Sequence, residues 1–555
     1  MMSYITSINI IEKYGECSIY SFDVFDTVIT RTIAEPQGIF CLMQQYLMLN
    51  PKYKICNKEL VRDFPAIRVS YEHYARQMRV KGQEEITLKN VYDYIGRAYN
   101  LSPELIACLE ELEEVVEYQC SIPIRQTISD ICKLIAMGKR VIFISDMYLS
   151  VKVIRKLLVK AEKMFASVPI YVSSEFNKTK SKGSLFQIVH EIENVEYHDW
   201  VHVGDNACSD QAIPQKLGIK TIPIHSETLS FFEKYLVRTL GRNVNCQIIV
   251  GASRLARNLN PNGHFMYQVG CNYGGPILTI YAEWLINQCQ IRSISKLYFI
   301  ARDGYILKQI VDKILMIRNV KLFTSYIYGS RKAWYIKKDD TERANLVRAY
   351  ITQEVDLNDS NIAFVDSFGS GGSIESMADI VLDKQCMKWH AFFFKCGERN
   401  TPHLLKFDCA PFLDIWDNIE LFCKAPEGPC IGYRKKDEKI EPVCSHSVGE
   451  QIKNFGFAEY ENGVLVFLKY YLCNEFIGKY NYSGMDEVLY WYVKKINEFP
   501  DKCLRKFLQE YPRDERKKIK MLKISILERK FELKLKKIKN FVKVIEKKKE
   551  INLLK

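Results

Sequence analysis

Acidic, hydroxyl and lysine side chains follow short apolar runs in the first 220 residues. Asp23, Ser145 and Asp205 each come directly after such a run or close it, Asp210 follows Asp205 by five positions, and Lys180 lies in a polar stretch between them. A carboxylate can attack phosphorus and form an aspartyl-phosphate. A hydroxyl and a lysine can hold the transferring oxygens, and carboxylates bind Mg²⁺. The residue types therefore suit phosphoryl chemistry.

The elements that would position these groups are β-strands alternating with helical stretches. This alternation predicts a parallel sheet covered by helices, and the carboxyl ends of its strands would face one crevice. Gly204 would let the chain turn tightly beside the metal. Inside these elements, His202 is interpreted as a core histidine and Asp146 as a loop-capping carboxylate. The strand candidates are Ser18–Phe22, Val141–Ile144, Ile170–Ser173, Trp200–Val203 and Thr221–Ile224.

A helical interval from about residue 35 to 121 interrupts this alternation. Pro36 and Pro103 fit first-turn positions, and leucines recur at helical spacing before Val116. A helical insert after the first strand predicts a cap over the carboxyl edge of the sheet.

A second α/β region follows, and its last part is mostly helical. The chain is therefore divided into residues 1–240 with the cap, residues 245–510, and a tail over residues 511–555. No Pro-rich or Gly/Ser-rich linker marks the boundary near residue 245. The strand candidates of the second region are Lys296–Ile300, Tyr326–Tyr328, Ile362–Val365 and His390–Phe394.

The ordered motifs of the first region resemble those of the haloacid dehalogenase-like (HAD) superfamily. Residues 22–27 have the sequence FDVFDT, and Ser145, a lysine, and the Asp205/Asp210 pair follow in the family's order. The resemblance covers roughly residues 15–235. It implies a HAD-like Rossmannoid sheet with a helical, C1-type cap.

The resemblance also assigns roles to individual residues. Asp23 would be the nucleophile and a Mg²⁺ ligand, Ser145 would bind phosphate, and Asp205 and Asp210 would lie at the metal. Lys180 is favoured as the phosphate-binding lysine because it begins a K-x-x-G-x-L-F arrangement. Lys182, directly before a glycine, is the alternative.

One position departs from the family's phosphatases, which usually carry a second aspartate two residues after the nucleophile. Phe25 stands there, with Asp26 one residue further along. The backbone carbonyl of Phe25 can still bind Mg²⁺, but the general acid–base group is missing, and such a group contributes roughly 10²- to 10⁴-fold in rate. A catalytically slow HAD-like scaffold is therefore the rival interpretation.

A second group of residues lies in the second region. Strand, glycine-rich turn and helix is a geometry that holds anions on backbone N–H groups. The alternatives are a phosphate- or sugar-nucleotide-binding site and a set of ordinary βα turns. The residues concerned are Arg302, Asp303, Asp366, Gly369, Gly371 and Gly372.

The combination of an FDVFDT motif with a downstream Arg-Asp-Gly motif is similar to a bacterial group of HAD-like proteins. That group is often associated with surface-polysaccharide and glycosyltransferase functions. The resemblance implies this setting and no particular reaction. A scaffold or regulatory module in that setting is one rival function, and a glycosyl- or phosphoribosyl-type transferase that uses the glycine-rich turn of the second domain is another.

The basic charge is concentrated in the tail. Residues 513–555 hold 17 Lys/Arg and 6 Asp/Glu, whereas the whole chain has a net charge of +13. Apolar residues recur among the lysines, which predicts a basic amphipathic helix for an anionic membrane surface or a partner helix. Nucleic acid is disfavoured because the body is near neutral and the tail has few aromatic residues.

The sequence predicts a cytoplasmic protein, peripheral at a membrane if the tail binds lipid. The first 16 residues lack a signal-peptide pattern, no 18-residue apolar run is present, and the 18 cysteines include no C-x-x-C pair. The leading prediction is a Mg²⁺-dependent phosphohydrolase or phosphotransferase for a small phosphorylated metabolite such as a sugar phosphate.

Overall fold

Two parallel five-stranded sheets frame the chain. In the computed structural model, the residues described are 14–53, 57–224, 228–336, 339–358, 361–381, 388–396, 403–407, 417–445, 448–474 and 484–513. The predicted fold class, mixed α/β with parallel sheets and a helical insert in the first, is confirmed. The predicted helical tail lies outside the described residues from position 514 onward.

The first sheet has the strand order β5-β4-β1-β6-β7, with β1 in the centre. Strands β4 and β5 lie on one side of β1, and β6 and β7 lie on the other. All five predicted strands are present within one residue of their expected bounds. They are β1 (Ile19–Phe22), β4 (Arg140–Ser145), β5 (Ile170–Val172), β6 (Trp200–Gly204) and β7 (Lys220–Pro223).

The interval after β1 is helical, as the sequence predicts. A short antiparallel pair, β2 (Ile29–Arg31) and β3 (Ser121–Pro123), forms its base. Four α-helices are described between these strands: α1 (Gly38–Leu49), α2 (Lys58–Gln77), α3 (Leu88–Tyr99) and α4 (Pro103–Cys120). Helices α5 (Arg125–Ala136), α6 (Val151–Ala161), α7 (Ser173–Phe176), α8 (Ser184–Glu193) and α9 (Ile213–Leu217) connect the strands of the sheet.

A buried ion pair organises the cap. Arg68 on α2 donates to both carboxylate oxygens of Glu113 on α4, at 2.7 and 2.8 Å, and both side chains are almost fully buried. Tyr92 and Tyr148 also donate to Glu113, at 2.6 and 2.9 Å. Because Tyr148 follows β4, this cluster joins the cap to the sheet.

The second sheet has the order β12-β11-β10-β8-β9 and is also parallel throughout. Four of its strands were predicted: β8 (Lys296–Ile300), β9 (Phe323–Ile327), β10 (Asn361–Gly369) and β11 (Lys388–Cys396). The sequence prediction omitted β12 (Leu404–Lys406), which has only three residues, and the hairpin β13 (Cys430–Lys436) and β14 (Lys439–Cys444). Charged side chains outnumber apolar ones around the hairpin turn, which hides the alternation that signals a strand.

Helices before, within and after the second sheet complete the described fold. They are α10 (Phe231–Leu240), α11 (Val244–Leu259), α12 (Phe265–Val269), α13 (Gly275–Ile291), α14 (Gly304–Arg318), α15 (Arg331–Trp334), α16 (Thr341–Glu354), α17 (Gly372–Val381), α18 (Asp417–Glu420), α19 (Gly449–Asn454), α20 (Phe457–Tyr471), α21 (Met485–Glu498) and α22 (Lys502–Glu510).

Both sheets contribute to one hydrophobic core. The same buried cluster contains Phe22 of β1 and Val365 of β10, and residues 1–512 form one compact unit. The domain boundaries near residues 240 and 510 therefore stay predictions. Among the described helices, none has the length and apolar character needed to cross a membrane.

Helix α11 holds the linker between the first sheet and the cap. Arg254 donates to the carbonyl oxygen of Arg31 at 2.8 Å, and Gln247 bonds the backbone of Ala34 and Glu35. A Cβ atom on Gly251 would lie 2.3 Å from a carbonyl oxygen of the linker, so the helix and the linker are in direct backbone contact.

Candidate functional site

The side chains predicted for the first site meet at the carboxyl edge of the first sheet. Strand β1 pairs with β4 on one side and with β6 on the other. Asp23 follows β1 directly, Ser145 is the buried last residue of β4, and Asp205 follows β6 directly. Parallel neighbours end at one edge, so three chain segments far apart in sequence are brought together there.

Lys180 lies between two of the carboxylates. Its Nζ is 2.5 Å from Asp23 Oδ1 and 2.6 Å from Asp210 Oδ1, and the lysine side chain is 2% exposed. Lys182, the alternative from the sequence, is exposed at the surface. The structure therefore places Lys180, and not Lys182, in the carboxylate cluster.

Three of these carboxylates form a group that could hold a metal ion. One oxygen from each of Asp23, Asp205 and Asp210 lies within 4.8 Å of the other two. Asp23 and Asp210 are buried and Asp205 is exposed at the rim. A set of hard carboxylate oxygens that opens to solvent on one side suits Mg²⁺, which keeps some of its water.

The electrostatics of the two buried carboxylates differ. Burial raises the pKa of Asp23 to about 7, against the opposing charge of Lys180. Burial also acts to raise the pKa of Asp210, but a hydrogen bond from His202 and the charge of Lys180 outweigh it and hold that pKa well below its usual range. Partial desolvation and the neighbouring Asp26 and Asp210 raise the pKa of Asp205 to about 6.

Gly204 is required for a different reason from the one that the sequence suggested. The backbone φ angle of Gly204 is not positive, so the conformation of the chain does not itself require glycine there. A Cβ atom at this position would instead lie 2.5 Å from Cγ of Asp210. The missing side chain gives Asp210 the space in which it reaches the carboxylate cluster.

His202 contacts the site, which the sequence analysis did not expect. Its side chain is fully buried in β6, with Nε2 at 3.2 Å from Asp210 Oδ1 and Nδ1 at 2.7 Å from Ser21 Oγ. Trp200 Nε1 donates to the same Ser21 oxygen at 2.7 Å. The signal in the sequence was a polar residue inside an otherwise apolar strand.

Two other carboxylates fix the loop that carries Lys180. Asp146 accepts backbone N–H groups from Lys180 and Ser181, at 2.7 and 3.2 Å. Asp146 thus caps a loop, as the sequence analysis proposed. Glu84 of the cap accepts from Thr179 N at 3.2 Å and lies 3.1 Å from Lys178 Nζ, so the cap also braces this loop.

Phe25 lies beside a buried ion pair formed by Arg31 and Glu117. The guanidinium of Arg31 lies over the Phe25 ring, 4.2 Å from its centre, and Arg31 pairs with buried Glu117 at 2.7 Å. Asp26 accepts a hydrogen bond from Thr30 at 2.6 Å. The metal-binding role of the Phe25 carbonyl stays a prediction.

The second group of predicted residues also gathers at a sheet edge. Strands β8 and β10 are neighbours, and chain connections leave them in opposite directions, which is where α/β sheets commonly bind ligands. Arg302 and Asp303 follow β8, and Asp366 lies near the end of β10. Burial, with Glu420 nearby, raises the pKa of Asp366 to about 7 and that of Asp303 well above its usual range.

The glycine-rich turn leads from β10 into α17. Gly369 closes the strand, Gly371 has a φ of 77°, and Gly372 begins the helix. The binding of a phosphate or a sugar nucleotide at this edge stays a prediction.

Comparison with known proteins adds a limited likeness. No protein-family model matches the chain, and no curated protein matches it. Among solved structures, a HAD family enzyme from Bacteroides thetaiotaomicron in a magnesium complex is 14% identical, with a TM-score of 0.26 over 38% of this chain and 93% of that one. A 2-haloacid dehalogenase from Pseudomonas syringae pv. tomato is 16% identical, with a TM-score of 0.28 over 37% of this chain and 86% of that one. A likeness at these values identifies neither a family nor a reaction for this chain.

Proposed function

We propose that this chain is a Mg²⁺-dependent HAD-type phosphohydrolase or phosphotransferase that acts on a small phosphorylated metabolite, with sugar phosphates as the favoured class. The observation that carries the proposal is the shared ammonium group of Lys180. It bridges Asp23, at the end of the central strand, and Asp210, beside the rim carboxylate Asp205. A nucleophile, a cation and metal-binding oxygens at one sheet edge suit phosphoryl transfer.

The donor set fits Mg²⁺, with Asp23, Asp205 and Asp210 as the side chains that would hold it. When bound, the ion would neutralise charge on the transferring phosphoryl oxygens. Lys180, in the turn before α8, would offset the charge of the same oxygens, and Ser145 would donate to one of them.

Asp23 would form the covalent intermediate. One of its carboxylate oxygens attacks phosphorus, the bond from phosphorus to the leaving oxygen breaks, and that oxygen leaves with the electron pair and takes a proton from water. A second water, or an acceptor alcohol in a transferase, then attacks phosphorus and gives its proton to the hydroxide that the first step left, while the bond from phosphorus to the Asp23 oxygen breaks and releases the carboxylate. Burial of Asp23 keeps competing water away from the nucleophile.

Phe25 constrains the choice of substrate. No carboxylate occupies the general-acid position, and the Arg31 guanidinium covers the ring there. A leaving group that needs little protonation, such as an anomeric or an anhydride oxygen, would be favoured over an ordinary alkoxide. The same observation favours the second candidate, a catalytically slow HAD-like scaffold or regulatory module in surface-polysaccharide biosynthesis.

The cap supports a small substrate. Its helices are joined to the sheet through Glu113 and Tyr148, and Glu84 of the cap braces the Lys180 loop. A covered site of this kind limits the size of what enters and excludes water.

The test is a hydrolysis screen of the full chain on a panel of sugar phosphates, anomeric phosphates and nucleoside diphosphates, with Mg²⁺ and with EDTA. Phosphate release that requires Mg²⁺ and is lost in Asp23→Asn supports the enzyme. Release that is unchanged by EDTA or by Asp23→Asn contradicts it. Mg²⁺ binding without turnover on any compound favours the scaffold.

A further inference from the structure

Four buried groups form a chain of hydrogen bonds that ends on Asp210. Trp200 Nε1 lies 2.7 Å from Ser21 Oγ, Ser21 Oγ lies 2.7 Å from His202 Nδ1, and His202 Nε2 lies 3.2 Å from Asp210 Oδ1. Ser21 and His202 are both 0% exposed. The His202 and Phe186 rings pack in a T-shaped arrangement with their centres 5.0 Å apart, which restricts the orientation of the imidazole.

The chemistry of these groups sets the direction of every bond in the chain. An indole nitrogen only donates, so Ser21 must accept from Trp200 with its oxygen. Asp210 is a carboxylate that only accepts, so Nε2, the ring nitrogen that faces it, carries a proton and donates. In the neutral ring Nδ1 then accepts from the Ser21 hydroxyl at 2.7 Å, a shorter contact than the 3.4 Å from Ser21 Oγ to the Val201 carbonyl oxygen.

We propose that His202 is a positioning residue that holds the Asp210 carboxylate in the metal site while Lys180 binds the phosphate of the substrate. This inference rests on the proposed function. Lys180 is now shared between Asp23 and Asp210, and it must redirect hydrogen bonds to the substrate oxygens in order to act on them. His202 donates from behind Asp210, inside β6, and keeps its bond throughout. Asn206 N holds the second carboxylate oxygen at 3.0 Å.

The decisive measurement is the Mg²⁺ affinity of the full-length protein by isothermal titration calorimetry, with kcat and KM on the best substrate of the panel. His202→Leu removes the donor and keeps an apolar side chain of similar size. We expect a roughly 10- to 100-fold weaker Mg²⁺ affinity, as for other residues that orient metal ligands. We also expect a lower kcat at saturating substrate with little change in KM. His202→Gln, which can still donate from its side-chain amide, should stay within about threefold of the wild-type affinity on the same basis.

Val201→Ala is the matched control, because Val201 is a fully buried neighbour on β6 that makes no side-chain hydrogen bond to the site. It should lower the melting temperature and leave Mg²⁺ affinity unchanged. If His202→Leu does not fold, Ser21→Ala takes its place. That change removes the hydroxyl that fixes the ring proton on Nε2, and the same direction of change in Mg²⁺ affinity is expected.

The outcomes separate this inference from the proposed function. Wild-type Mg²⁺ affinity in His202→Leu, an equal loss in His202→Gln, or an equal loss in Val201→Ala each overturns the positioning role. Wild-type protein that binds Mg²⁺ but hydrolyses nothing refutes the proposed function alone, and the affinities of the variants still decide the role of His202. A wild type that does not bind Mg²⁺ refutes both.

Discussion

Replacement of Gly204 by alanine should displace Asp210 without changing any charged or hydrogen-bonding group. The added Cβ would lie 2.5 Å from Cγ of Asp210 and 2.6 Å from its Cβ and Oδ2. Carbon atoms pack at about 3.5 Å or more, so the side chain or the strand end must move by about 1 Å. A displacement of that size among the groups that take part in a reaction lowers the rate about 10²-fold.

The variant is best assayed by kcat/KM on the substrate that the panel identifies, together with Mg²⁺ affinity by calorimetry. We expect Gly204→Ala to lose about 10²-fold in kcat/KM and to bind Mg²⁺ about 10- to 100-fold more weakly. Overpacking also lowers the free energy of unfolding by about 1–3 kcal/mol, so both measurements are made well below the melting temperature.

Gly432→Ala provides the matched control for Gly204→Ala. The same chemical change on β13 meets no atom within 4 Å among the described residues. It should leave turnover and Mg²⁺ affinity at the wild-type level. If Gly204→Ala keeps kcat/KM and Mg²⁺ affinity within about threefold of Gly432→Ala, far from the expected loss, then Asp210 does not need its present position and the site has been misassigned.

Four further predictions follow from the same geometry and from the charge of the tail. Asp23→Asn should abolish turnover while Asp26→Asn keeps measurable activity, and equal losses in two folded variants would indicate a different nucleophile. Mg²⁺ at a hundred times its Kd should raise the free energy of unfolding by about 2.7 kcal/mol, and a melting temperature that ignores millimolar Mg²⁺ would refute the metal site. Glu113→Ala removes the bidentate partner of buried Arg68 and leaves it with Glu72 at 3.1 Å, so it should cost about 3–5 kcal/mol in urea unfolding, whereas a cost under about 1 kcal/mol would show that Glu72 or water compensates Arg68. Truncation after Pro512 should leave hydrolysis unchanged and abolish binding to vesicles of anionic phospholipid, and equal vesicle binding by both proteins at low salt would exclude the tail as the membrane contact.

The strands and the carboxylates of the first site could be predicted because their signals are local. Each strand is a short apolar run, and Asp23 and Asp205 stand directly at strand ends, so a parallel sheet alone brings these two carboxylates together. The choice between Lys180 and Lys182 was not fixed by local pattern. Both occur in a three-residue turn, and only its orientation, capped by Asp146, buries one and exposes the other.

The contributions of His202, Glu84 and Arg254 could not be predicted in this way. Glu84 reaches the Lys180 loop from about 95 residues away, and Arg254 reaches the cap linker from more than 220 residues away. Such contacts depend on how separate layers pack, and a single sequence carries no periodic signal for them. His202 was visible as a polar residue in an apolar strand, but its partner Asp210 became evident only when β6 and the following turn were in place.

The contacts between α11 and the cap linker affect how the protein unfolds and where the chain can be shortened. A fragment that ends at residue 240 would lose Arg254, which donates to the Arg31 carbonyl oxygen, and Gln247, whose oxygens accept from the N–H groups of Ala34 and Glu35. These backbone groups of the linker would then lose their partners. The first sheet, its cap and α11 therefore belong to one cooperative folding unit. Measurements on a protein shortened in this way would describe a loosened cap linker and not the chemistry of the intact site.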